Sequence, residues 1–161
     1  MPHQCVTDAL IDRLSGRIRH IDQYTRMIRE RGMLPGLSSH MPEAVIFADR
    51  QKADVETYIQ IYNAAGFLMP VEVDWVMHVI HAAKKPVMVI KPLAAGRLLP
   101  VVGLAFVWST IRPQDMVVVG TSTPDEAREV VDISLSLLEK QLPDYQLQKT
   151  RSKRSLEPRV P

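Results

Sequence analysis

The stretch "PVMVIKPLAAGRLLPVVGLAFVW", residues 86–108, holds one full copy of the pattern that sets the fold. Val87 to Ile90 is a short apolar run, as expected of a strand buried on both faces. Lys91-Pro92 stops the run. Ala94-Ala95-Gly96 then supplies three small residues beside which a ligand or another backbone can come close, and Pro100 opens a helix through Leu104, Val107, Trp108 and Ile111.

The same order, strand then turn then helix, recurs on both sides. Upstream, "MLPGLSSH" (33–40) is a short extended run followed by "PEAVIFAD" (42–49), where proline suits a first helical turn. "VETYIQIYN" (55–63) alternates Val55, Thr57, Ile59 and Ile61 and is rich in β-branched and aromatic residues, which predicts a second strand. A helix from Pro70 to Lys84 follows, with Glu72 and Asp74 at its start and His81, Lys84 and Lys85 at its end, matching the helix dipole. Downstream, Arg112-Pro113 stops the helix begun at Pro100 and "MVVVGTS" (116–122) is the fourth strand. Its helix starts at a capping box, with Thr123 as N-cap, Pro124 in the first position and Glu126 in the third, and runs on through Ala127, Val130, Ser134, Leu135 and Leu138. Before all of these, Leu10, Leu14, Ile18, Ile21 and Ile28 predict one helix between Asp8 and Arg31, ended by Gly32.

One helix followed by four strand–helix units implies an α/β fold: a parallel (βα)4 sheet with right-handed crossovers over residues 1–148. Residues 149–161, "KTRSKRSLEPRVP", form a separate basic tail with five basic residues against Glu157 alone. Its charge of +4 within a chain of +2 leaves the rest at −2, so the folded part is not basic. No aromatic residue is interleaved with the tail's charges to stack on bases, which favours a solvated, disordered end over a nucleic-acid contact.

A chain of 161 residues with 46% hydrophobic and 24% charged residues can form one domain with a real core. Leu104 to Trp108 and Met116 to Val119 are far shorter than the roughly 18 apolar residues a membrane span needs. The start, "MPHQCVTDALIDRL", lacks the basic flank and apolar run of a signal peptide, so a cytoplasmic location is expected. Cys5 is the single cysteine, which excludes an internal disulfide and a site built from several thiolates of this chain.

Four pieces, "GLSSH", "YIQIYNAA", "KPLAAGRL" and "VVVGTSTPDEAREVV", resemble in order and spacing strands five to eight of the aldo-keto reductase superfamily, NAD(P)-linked oxidoreductases with an eight-stranded TIM barrel. The resemblance implies the C-terminal half of such a barrel. No residue here occupies the positions of the family's catalytic Asp, Tyr, Lys and His, so it also implies no catalytic residue in this chain and no turnover by it alone. Such a half is a truncation, or it is completed by a second copy or by a separate N-terminal half. By the same resemblance Ser38, Ser39 and Gln60 face the nicotinamide carboxamide, although Ser39 stands where asparagine is common. Lys91, Pro92, Leu93, Ala94, Ala95 and Gly96 wrap the pyrophosphate of NAD or NADP, and Gly120, Thr121 and Ser122 lie by the adenosine. Where many members place basic residues for the 2′-phosphate, this chain has Gly120 and Glu126, which weakens NADP; Arg128 partly compensates.

The residues support an anion site independently. Ligands of TIM barrels bind at the C-terminal strand ends, and small-residue turns, the Lys91 ammonium and the helix start after Thr123 all attract negative charge. The alternative is a non-catalytic phosphate-binding or self-assembling half-barrel. Other polar residues read as structural: His40 as a hydrogen-bonder at a strand end, with a proton donor as the sharper alternative, and His78 and His81 as surface histidines, since a metal site lacks a third ligand. Trp75 and Trp108 are expected in helix packing.

Overall fold

The structure, a computed structural model, describes residues 1–141; the proposed tail 149–161 lies outside them. Four short strands form one sheet in sequential order: β3 (Gly36–Ser39), β4 (Thr57–Ile61), β5 (Val87–Ile90) and β6 (Met116–Val118). Every neighbouring pair is parallel. Each strand is followed by its helix: α3 (Glu43–Arg50), α4 (Val73–Ala82), α5 (Pro100–Thr110) and α6 (Pro124–Leu138). The fold is therefore the expected α/β architecture, a parallel, half-barrel-like sheet flanked by helices.

Side-chain alternation gives the sheet two unequal faces. The register places Leu37 beside Tyr58, Tyr58 beside Val87, Gln60 beside Val89, and Val89 beside Val117. Leu37, Tyr58, Val87 and Val89 are buried in the main core with Val45 and Ala48 of α3 and Val76, Val79 and Ile80 of α4. Tyr58 also donates its hydroxyl to Asp49 of α3 at 2.6 Å. Burial, with that bond second, pushes the phenol far above its ordinary range. The opposite face carries Ser38, Ile59, Ile61, Met88, Ile90, Met116 and Val118, and none of these belongs to either of the two packed core clusters.

The N-terminal region departs from expectation. In place of one helix between Asp8 and Arg31 the chain forms α1 (Gln4–Leu10), an antiparallel hairpin of β1 (Ile11–Asp12) and β2 (Arg17–Ile18), and α2 (Ile21–Arg29). The break is local turn chemistry. Asp12 Oδ1 accepts from the Leu14 and Ser15 amides at 3.0 and 3.3 Å, Ser15 donates to Oδ2 at 2.7 Å, and Gly16 turns the chain at φ +64°. Leu14, counted in the helical stripe, is fully exposed at the turn, whereas Ile18 and Ile21 are core residues. The other prediction in this region stands: Gly32 follows the end of α2 at φ +69° while the Met33 amide reaches back to the Ile28 carbonyl.

Candidate functional site on the β5–β6 rim

Beyond the C-terminal end of β5 the backbone leaves ordinary conformations. Lys91, Ala94 and Ala95 all have left-handed φ, at 58°, 51° and 55°, and Gly96 follows at 80°. Each alanine there costs roughly 1–2 kcal/mol against a right-handed turn, so surrounding contacts must hold it. Three do so. The Ala94 amide donates to the Lys91 carbonyl at 3.0 Å, and the Gly96 amide to Leu93 at 2.9 Å. Arg97 donates to the Ala94 carbonyl at 3.1 Å while stacking its guanidinium 4.0 Å from the Phe67 ring, which ties the turn to the loop after β4. That loop is itself fixed by buried Asn63, which accepts from the Phe67 amide and donates to its carbonyl.

From below, the turn rests on α5 through Gly103. A Cβ there would lie 2.7 Å from the Pro92 carbonyl oxygen and 2.9 Å from Leu93 Cδ2, so only glycine lets the helix approach. Gly103 is not among the residues the sequence pattern singles out. Its signal was present, since a glycine inside a helix costs about 1 kcal/mol against alanine and usually has a packing reason.

The turn and the end of β6 border one open cavity of about 420 Å3, lined by Ile90, Lys91, Pro92, Leu93, Ala95, Gly96, Val118, Val119, Gly120 and Ser122. Of the residues expected on the pyrophosphate and by the adenosine, Lys91, Pro92, Leu93, Ala95, Gly96, Gly120 and Ser122 are thus brought together, whereas Ala94 is fully buried and does not line the cavity. Thr121 does not line this cavity and borders an apolar groove beside α6. Within the small-residue turn expected to attract an anion, the amides of Ala94 and Gly96 are bonded to the turn itself, and the Ala95 N–H takes part in none of these bonds. At α6, Thr123 accepts from the Glu126 amide at 3.2 Å as an N-cap should, but Glu126 Oε2 accepts from Ser122 at 2.7 Å rather than from Thr123. A carboxylate therefore holds the amide of Ser122 on that side, and Lys91 is the charged residue among those lining the cavity.

The other predicted residues lie elsewhere. Ser38 is half-buried on the open sheet face. Ser39 is buried and occupied: its hydroxyl donates to Asp8 of α1 and accepts from the Met41 amide at 2.9 Å. Gln60, on the helix-covered face and fully buried, donates to the carbonyls of His40 and Ile61 at 3.4 and 3.3 Å, and its Oε1 has no partner. Tyr62, to which no role is assigned, is buried against Phe106, with its hydroxyl 3.1 Å from that of Thr110. His78 and His81 each bond a backbone carbonyl at 2.7 Å, and no group of three or more metal-ligating side chains exists among the described residues. Trp108 packs beside the second core cluster, whereas Trp75 is exposed. No described helix is long and apolar enough to cross a membrane. Comparison of the chain with protein-family models, with curated proteins and with solved structures gives no match.

Proposed function

We propose that the β5–β6 rim binds the diphosphate and adenosine portion of a nicotinamide dinucleotide, so that the chain supplies the cofactor-side half of an aldo-keto reductase-like oxidoreductase. The observation that carries this reading is one cavity lined from β5 by Lys91, Pro92, Leu93, Ala95 and Gly96 and from β6 by Gly120 and Ser122, at the ends of adjacent parallel strands, the usual ligand position in such folds. Its volume of about 420 Å3 falls within the roughly 300–1,000 Å3 of small-molecule sites, and one ammonium beside apolar walls suits a phosphate joined to a nucleoside. The Glu126 carboxylate at the mouth opposes a further phosphate, which favours NAD over NADP. Bound there, the dinucleotide would supply hydride chemistry. This chain's residues would bind and orient it, and with no proton donor in the family's positions the chain alone would not reduce a carbonyl.

Titration calorimetry of the purified chain with NADH tests the proposal. Measurable binding is expected, about tenfold weaker in Lys91→Met, as for loss of one charge-assisted contact. Failure to bind NADH, NADPH or ADP at millimolar concentration overturns it.

A second reading has its own observation. Met116 and Val118 are 39% and 46% exposed on the sheet face that belongs to neither core cluster. A self-assembling half-barrel would cover that face with a second copy.

A further inference from the structure

His40 lies one residue past the Ser39–Gln60 pair that closes the β3–β4 ladder, and Lys91 lies one residue past the Ile61–Ile90 pair that closes β4–β5. The two side chains therefore stand on the same rim, on strands separated by β4 alone, about 10 Å apart in backbone terms. The His40 backbone is held from two sides. Gln60 donates to its carbonyl, and the Ser39 hydroxyl closes the turn onto the Met41 amide while engaging Asp8. Its half-buried ring makes no hydrogen bond among the described residues.

We propose that His40 is a ligand-responsive residue of the rim site: its imidazole takes up a proton when an anion settles beside Lys91, so that anion affinity rises as pH falls. The inference rests on the binding reading above and names how that site is regulated. Three charged or titratable groups act on the ring through space: Lys91 from the β5 turn, Asp8 from α1, and His3 at the start of α1. Burial first, then the Lys91 ammonium, hold the imidazole below its ordinary range; Asp8 pulls the other way and His3 adds weakly to the lowering. An anion beside Lys91 cancels the repulsion that keeps the ring neutral, so the ligand-bound form holds its proton to higher pH. Linkage then requires binding to tighten as pH falls between the two protonation midpoints, and to level off outside them.

The test uses NAD+ with the full chain, because its diphosphate diester keeps constant charge over about pH 5 to 8, where histidine titrates. Affinity should rise about fivefold to tenfold from pH 7.5 to 5.5, as expected for one screened unit charge at this separation. The rise should persist in His3→Gln and vanish in His40→Gln. In parallel, an NMR titration of the wild-type His40 ring should show its midpoint moving up on adding NAD+, and moving up without ligand in Lys91→Met. An unchanged pH dependence in His40→Gln, or a His40 midpoint indifferent to NAD+, overturns the inference and leaves the binding site standing. Absence of NAD+ binding at every pH overturns both.

Discussion

Gly103 and Gly120 look alike in the sequence, yet they face opposite demands. A Cβ at Gly103 collides with the backbone carbonyl of Pro92, whereas one at Gly120 meets nothing within 4 Å. Gly103→Ala is therefore expected to lose about 1–2 kcal/mol in urea unfolding despite its better helix propensity, since overpacking against backbone outweighs the propensity gain. It should also loosen the rim turn and weaken NADH binding. Gly120→Ala should stay within about 0.5 kcal/mol of wild type. The same scale explains why some site residues were legible and others were not. Lys91 and Gly96 could be read from the strand stop and the small-residue run. The burial of Ser39 and Gln60 could not, because a serine at a strand end looks the same whether it faces a cavity or, as here, an aspartate 31 residues away.

At the scale of elements, the loop before β6 is fastened to the loop before β5 by a buried pair. Asp115, with a fully buried side chain, accepts from the guanidinium of Arg112 at 2.7 Å and from the Val87 amide at 2.8 Å, and Arg112 also donates to the carbonyls of Ala83 and Lys85. Asp115→Ala strands a mostly buried guanidinium and an amide, and should cost about 3–5 kcal/mol by chemical denaturation. A loss under about 1 kcal/mol would show that water replaces the carboxylate. The ion pairs of Arg29 with Asp54 and Glu56 beside β4 are of another kind, exposed and open to screening. Hydrogen bonds from Arg29 hold both carboxylates below their ordinary range. Their contribution is complete above the unfolded-state values, near pH 4 to 4.5, and is lost as pH falls through the lower folded values. Arg29→Met should flatten the acid limb of the stability curve there, with an effect at neutral pH that shrinks in 1 M salt.

For the molecule as a whole, four strands in sequential parallel order leave the outer edge of β6 without a neighbouring strand among the described residues, and Met116 and Val118 exposed on the open face. If that face is an assembly surface, sedimentation of the chain should show a dimer that Val118→Glu converts to monomer without changing the circular dichroism. A monodisperse wild-type monomer at high micromolar concentration counts against self-completion.

The alternation of four strands and four helices, their parallel sense and the positions of the β5 and β6 turns were legible in the chain of residues. These follow from short-range periodicity, proline and glycine punctuation, and the geometry of right-handed crossovers, all carried within each unit of chain. Only the tertiary structure decided that residues 8–31 form a hairpin between two helices, because the Asp12 side chain and Gly16 compete with helical spacing and the core accepts Ile18 and Ile21 but not Leu14. It alone decided, too, which polar residues reach the rim cavity and which are tied beneath it, since that depends on partners distant in sequence whose hydrogen bonds exist only once the sheet and helices have packed.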